Sequence, residues 1–136
     1  LLLEDYLNKL ILKDVRLVCD VRKRPLSRKF GFSKTALRNS LEQMGIEYRH
    51  FPELGIESSK RRELNTQSDY DALFSDYEKT TLKTEQDAVS SISSLLDEKK
   101  RVALLCYERL PEQCHRTRIL HAVLDQFRSD CPVYTE

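Results

Sequence analysis

Apolar positions along this chain follow two alternating rhythms. Leu3, Tyr6, Leu7, Leu10 and Ile11 recur at helical spacing and predict an amphipathic helix over residues 2–12. Val15-Arg-Leu-Val-Cys-Asp-Val21 then reads as a strand, with Asp20 and Arg22 at its carboxyl end. Ser33 is a good N-cap for a helix through Ala36, Leu37, Leu41 and Met44, and Gly45 supplies its stop. Ile46-Glu-Tyr-Arg-His50 is a short second strand running into Phe51-Pro-Glu-Leu-Gly55. Residues 56–67 are polar and read as a surface loop or flap. Ser68-Asp-Tyr-Asp71 and Thr84-Glu-Gln-Asp87 each place a hydroxyl three residues ahead of a carboxylate, the signature of a helix start.

The most informative stretch begins at Val102. Val102 to Tyr107 is a continuous apolar run of strand length, the pattern of a strand buried on both faces. Glu108 and Arg109 break it, and Pro111 suits a helix's first turn. Cys114, His115 and Arg116 then precede a helical pattern at Ile119, Leu120, Val123, Leu124 and Phe127. A last strand is expected at Pro132-Val-Tyr-Thr135. Strands alternating with helices predict an α/β fold, a three-layer sandwich with a small, mostly parallel sheet and helices on both faces. No internal repeat or low-complexity tract interrupts residues 1–136, which read as a single domain.

Composition narrows the partners. With 23 basic against 22 acidic residues, no global field favours nucleic acid or a membrane surface, and any basic patch has to be local. No apolar run approaches the ~20 residues of a membrane span, and no secretory signal is visible. Four cysteines are too few and too scattered for a disulfide scaffold, which makes a reducing, cytoplasmic setting the expectation. Cys19 reads as a small core residue. The chain opens Leu-Leu-Leu without Met, so a piece of a longer protein is expected.

Three predicted strand ends deliver polar groups to one rim: Asp20 with Arg22, His50 with Glu53, and Cys106 with Glu108. Cys114, His115 and Arg116 join them at the start of the last helix. Such a start favours an anion through its free N–H groups and dipole, and it lowers the pKa of a nearby thiol. Each residue also has a blander reading. Cys106 can be an inert core thiol, Asp20 can pair with Arg22 or Arg28, His115 can cap the helix or sit in solvent, and residues 22–29 can be a solvated loop. Zinc is disfavoured because Cys106, Cys114, His115 and His50 lack the close pairing of zinc sites, and neither metal nor cofactor is expected. A phosphatase-type loop fails on spacing, since Glu112 or Leu120 stands where arginine is required.

Asp20-Val-Arg22 with Pro25-x-Ser27-Arg28, together with Leu105-Cys106-x-Glu108-x-x-Pro111-x-x-Cys114-His115-Arg116-x-x-Ile119, resembles the DUF488 family, which has no assigned function. Gly45-Ile-x-Tyr48-x-His50-x-Pro52-x-Leu54-Gly55 is similar to the family's middle segment. The resemblance implies a compact α/β sandwich with its charged motifs at one end of a parallel sheet, and no established activity. It also implies an initial strand carrying Thr-Ile-Gly-His/Tyr-Ser, which this chain lacks, and a Gly-Gly pair where Gly55-Ile56 stands here.

Two functional readings follow. In the first, Arg22, Arg28 and Arg116, with His50, bind an anionic small molecule such as a nucleotide or phosphorylated metabolite. Glu108 or Asp20 would be the general acid or base, and Cys114 or Cys106 a nucleophile oriented by His115. In the second, the basic loop 22–29 and the flap residues 60–62 contact nucleic-acid phosphates while Tyr48 or Phe51 stacks on a base. A third, structural reading makes the cluster a set of internal salt bridges. Substrate, reaction and oligomeric state are not legible in the sequence.

Overall fold

The structure is a computed structural model that describes residues 3–27, 30–56, 64–99, 101–106 and 115–127. It has the expected alternation of strands and helices: α1 (Leu3–Leu12), β1 (Leu17–Asp20), α2 (Lys34–Gln43), β2 (Glu47–His50), a 3-10 turn at Pro52–Leu54, α3 (Gln67–Lys79), α4 (Thr81–Thr84), α5 (Gln86–Lys99), β3 (Val102–Leu105) and α6 (Arg116–Phe127). The architecture is a small α/β fold. Among the described residues the sheet has three strands in the order β2-β1-β3, all parallel. β1 and β2 are shorter than the expected runs, without Val15, Arg16, Val21 and Ile46, although the N–H groups of Arg16 and Val21 still bond to the carbonyls of Arg101 and Leu105. The strand expected at residues 132–135 lies outside the described residues.

Side-chain alternation along β1 divides the core. Leu17 and Cys19, with Val21 just beyond the strand, join residues of α3, α4, α5 and α6. Val18 points the other way and joins Leu105 with residues of α1 and α2. Every residue of β1 is buried, as its central position requires. In register, Asp20 lies opposite His50 on one side and Leu105 on the other. The carboxyl ends of the three strands therefore lie level with one another.

The helix ends obey local rules, with instructive shifts. Gly45 has φ +76 and closes α2 as expected, its N–H bonding to Glu42 O and that of Ile46 to Leu41 O. Asp14 fills the same left-handed position after α1, with φ 53, and repeats the bonding pattern through Ile11 O and Leu10 O. Ser33 precedes α2 as predicted, but its hydroxyl pairs with the Ser27 backbone instead of capping. The cap of α3 is Thr66 with Asp69, not Ser68 with Asp71. Asp69 there accepts the N–H groups of Asn65 and Thr66, so the helix starts one turn-fragment earlier. Thr84 is not a cap either: its hydroxyl donates back to carbonyls of Thr80 and Thr81 at the end of α4.

Gly55 has an ordinary φ, so its freedom from a side chain serves packing. A Cβ there would lie 2.4 Å from the Lys23 backbone nitrogen. Only hydrogen at this position lets the chain after the 3-10 turn press against the segment leaving β1.

Candidate functional site

The site grows from the last residue of β1. Asp20 and Arg22 are two apart on extended chain, so their side chains emerge on the same side. Arg22 folds back onto Asp20 in a fork: Nε donates to Oδ1 at 2.8 Å and Nη2 to Oδ2 at 2.7 Å. The Arg22 backbone N–H also reaches Oδ1, and the Tyr48 hydroxyl donates to Oδ2. Asp20 thus accepts four hydrogen bonds, the capacity of a carboxylate. The remaining arm of Arg22, Nη1, donates to Phe32 O at 2.7 Å. Asp20 is 0% and Arg22 2% exposed, so this ion pair is held away from water. Isolated, either charge would be costly there; paired and fully bonded, both are tolerated.

Two imidazoles fix the backbone leaving β1. His50 Nε2 donates to Arg22 O at 2.8 Å, and His115 Nε2 donates to Val21 O at 2.9 Å. His115 is buried, with the Tyr77 ring edge-on at 5.4 Å between centroids. Tyr77 is itself anchored by its hydroxyl to Leu54 O at 2.6 Å. The carbonyl of His115 also receives the first N–H groups of α6, from Arg118 and Ile119. One residue therefore starts the last helix and ties it to the first strand.

Arg116 begins α6, half-buried, and its Nη1 donates to Cys106 Sγ at 3.5 Å. Burial pulls its pKa down, and the nearby Tyr6 phenol partly opposes this. Tyr6, on α1, packs its ring against Phe32 at 5.4 Å. Burial, then the negative charge of Asp20, pushes its phenol up, while Arg22 and Arg116 pull it down. Tyr6 therefore lies within electrostatic reach of Asp20, Arg22 and Arg116 together. The Tyr48 phenol is also raised, by burial and then by its hydrogen bond to Asp20.

Cys106 is buried at the end of β3 and its sulfur is disulfide-bonded. In that state it is an electrophile rather than a nucleophile. Cys19 is a free, buried thiol, as expected, and burial raises its pKa to about 12. Among the described residues, no three His, Cys, Asp or Glu side chains are arranged to hold a metal ion. Among them too, no helix is long and apolar enough to cross a membrane.

Of the residues singled out in the sequence, Asp20, Arg22, His50, Cys106, His115 and Arg116 fall at this one end of the sheet. Arg28, Glu108 and Cys114 lie outside the described residues, as do flap residues 60–62. Glu53 is exposed on the 3-10 turn, Tyr48 is bonded to Asp20, and Phe51 packs against the core. Sequence reasoning missed Tyr6 and Tyr77. Both sit at core-facing helical positions, and their only signal was a hydroxyl on an otherwise apolar stripe, which demands a partner when buried.

A parallel sheet whose strand ends carry a buried Asp–Arg fork, two backbone-anchoring imidazoles and a half-buried arginine defines a small α/β protein with a polar centre at the carboxyl edge. Residues 2–124 match the family model described as Domain of unknown function DUF488, and the chain belongs to that family. No curated protein and no solved structure matches it.

Proposed function

We propose that the carboxyl edge of the sheet holds an anionic small molecule of the nucleotide or phosphorylated-metabolite class, with Arg116 as its principal charged contact. The observation that supports this is the position of Arg116. It sits half-buried on the first turn of α6, where helix N–H groups and dipole add to its charge, and within electrostatic reach of Tyr6. Asp20 and Arg22 have a different part in this reading. Asp20 has its four acceptor sites filled by Arg22 and Tyr48, and Arg22 bonds to Asp20 and Phe32, so in this reading the pair holds the strand end in shape. General acid or base work in a catalytic version of the site then falls to Glu108 instead of Asp20, with Cys114 as nucleophile and Arg28 as a second cation.

The nucleic-acid reading has less support. Arg22 is buried, Tyr48 is bonded to Asp20 and Phe51 is packed, so one cation of that loop and both stacking candidates are engaged inward, although Arg24 is exposed. Titration of the protein with inorganic phosphate and with AMP, followed by calorimetry or NMR shifts, tests the proposal. Saturable binding that Arg116→Met weakens at least tenfold without loss of folding is expected, since charge-assisted hydrogen bonds contribute about 1.5–3 kcal/mol. Absence of saturable binding at millimolar ligand overturns it. Tighter binding to single-stranded RNA with a steep loss in salt would favour the other reading.

A further inference from the structure

Tyr6 differs from the other two tyrosines near the carboxyl edge. Tyr48 donates its hydroxyl to Asp20, and Tyr77 donates to Leu54 O. Tyr6 is half-buried, yet among the described residues its hydroxyl has no hydrogen-bond partner. Packing alone does not call for that hydroxyl. The ring lies against Phe32 at 5.4 Å and joins the cluster of Leu10, Val18 and Leu105, contacts that a phenylalanine would make equally well. A hydroxyl drawn out of water without a partner is unfavourable until something supplies one.

The surroundings of Tyr6 restrict what that partner is. Val18 and Asp20 are two apart on β1, so the cluster around Tyr6 lies on the Asp20 face of the sheet. Phe32, which the ring touches, lends its carbonyl to Arg22 Nη1, so Tyr6 packs beside the Asp20–Arg22 fork. Arg116 arrives from the other face, with α6, whose Ile119 and Val123 pack in the opposite cluster. Tyr6 and Arg116 are nonetheless within electrostatic reach of each other. Asp20 has its four acceptor sites filled and cannot take a bond from Tyr6 as well. Burial keeps the phenol protonated, so it is a donor and not a base.

We propose that Tyr6 is a ligand-binding residue whose hydroxyl donates to a phosphoryl oxygen of the anion held by Arg116, an assignment that rests on the anion-site reading and names its second contact. A phosphoryl group has oxygens in several directions, so a guanidinium from one face of the sheet and a phenol from the other can share it. Arg116 supplies charge and Tyr6 a neutral donor. No proton changes hands.

The test is to titrate inorganic phosphate and AMP into the wild type, Tyr6→Phe and Arg116→Met by calorimetry, and to melt each protein without ligand. Tyr6→Phe keeps the ring and removes only the hydroxyl. Its affinity is expected to fall about tenfold or more, the lower end for a hydrogen bond to a charged group. Its Tm without ligand should stay level or rise, because a hydroxyl with no partner does not hold the fold together. The tyrosine ultraviolet spectrum of the wild type should shift on ligand addition, and the shift should vanish in Tyr6→Phe. Equal affinities for wild type and Tyr6→Phe, with Arg116→Met weakened, overturn the assignment and leave the anion site standing. A clear drop in the Tm of ligand-free Tyr6→Phe also overturns it, since the hydroxyl would then be satisfied within the protein. Absence of saturable binding of either ligand to the wild type overturns the anion site, and the assignment of Tyr6 with it.

Discussion

His115 and Val21 stand 94 residues apart in the chain and are joined by a hydrogen bond from the imidazole Nε2 to the peptide carbonyl. A carbonyl cannot donate, so the proton is on Nε2, and the tautomer follows from the partner. His50 makes the same bond to the next carbonyl, that of Arg22. Past Asp20 the N–H of Val21 still bonds across to Leu105 O, but the carbonyls of Val21 and Arg22 take their donors from side chains. Two imidazoles, one from β2 and one from the start of α6, supply them. The polar end of the sheet is thereby fixed at the level of the backbone.

Removing the cation from the Asp20–Arg22 fork should unmask the cost of a buried carboxylate. Arg22→Met is expected to destabilise by about 3–5 kcal/mol, the range for breaking a buried pair on one side. Arg22→Met combined with Asp20→Leu should be less damaging than Arg22→Met alone, because no charge is left stranded. Urea unfolding followed by circular dichroism measures both.

Tyr48 gives the protein an alkaline limit. Its phenol is held above the ordinary 10.0 by burial and by its bond to Asp20, and Tyr6 is shifted in the same direction. The neutral phenols are favoured by folding, so their contribution is complete below pH 10.0 and is lost as pH rises from there through the folded values. Phenolate absorbance from these two should appear together with loss of tertiary structure rather than before it. Tyr48→Phe should soften that dependence and cost about 1.5–3 kcal/mol at neutral pH, the worth of a hydrogen bond to a charged group.

Gly55→Ala tests the contact between two loops. Its backbone angle suits alanine, yet the added carbon would fall 2.4 Å from Lys23 N and 2.5 Å from Lys23 Cα. Backbone has to shift, at a cost of about 1–3 kcal/mol typical of overpacking. A drop in Tm is expected, whereas Gly45→Ala, with open space around it, should suffer only from its left-handed φ of +76.

Asp14→Gly should act in the opposite direction. Asp14 holds the left-handed position that ends α1, at φ 53, where a side chain is strained. Its ion pair with Arg16 is well exposed and contributes little. Stability is expected to rise by up to about 1 kcal/mol, read as a higher urea midpoint at unchanged slope.

Much of this architecture is legible in the sequence, for reasons that can be named. The strands announce themselves as apolar runs because a central parallel strand is covered on both faces. Gly45 marks a helix end because few other residues accept its φ. The spacing of Asp20 from Arg22 on extended chain already makes a pair, and the structure has that pair. What the sequence hides is competition between equivalent local signals. Thr66-x-x-Asp69 and Ser68-x-x-Asp71 have the same form, and only the further N–H groups that Asp69 collects favour the first. Tyr6 was hidden differently: helical periodicity assigns it to the core, correctly for the ring, but says nothing of a phenol within electrostatic reach of three charged groups 14, 16 and 110 positions onward. The disulfide at Cys106 was equally illegible, since an apolar strand describes a thiol's surroundings and not its oxidation state.

The order β2-β1-β3 has a bearing on how the protein is made. The middle strand is the first of the three to leave the ribosome, yet its partner Val102–Leu105 is the last, arriving only after α2, β2, α3, α4 and α5. Until then β1 has one edge unsatisfied and Asp20 has no finished surroundings. Closing so long a loop is entropically slow, and an apolar strand waiting with a bare edge is prone to self-association. Yield of soluble protein should therefore hinge on the helices of the intervening segment shielding that edge during synthesis.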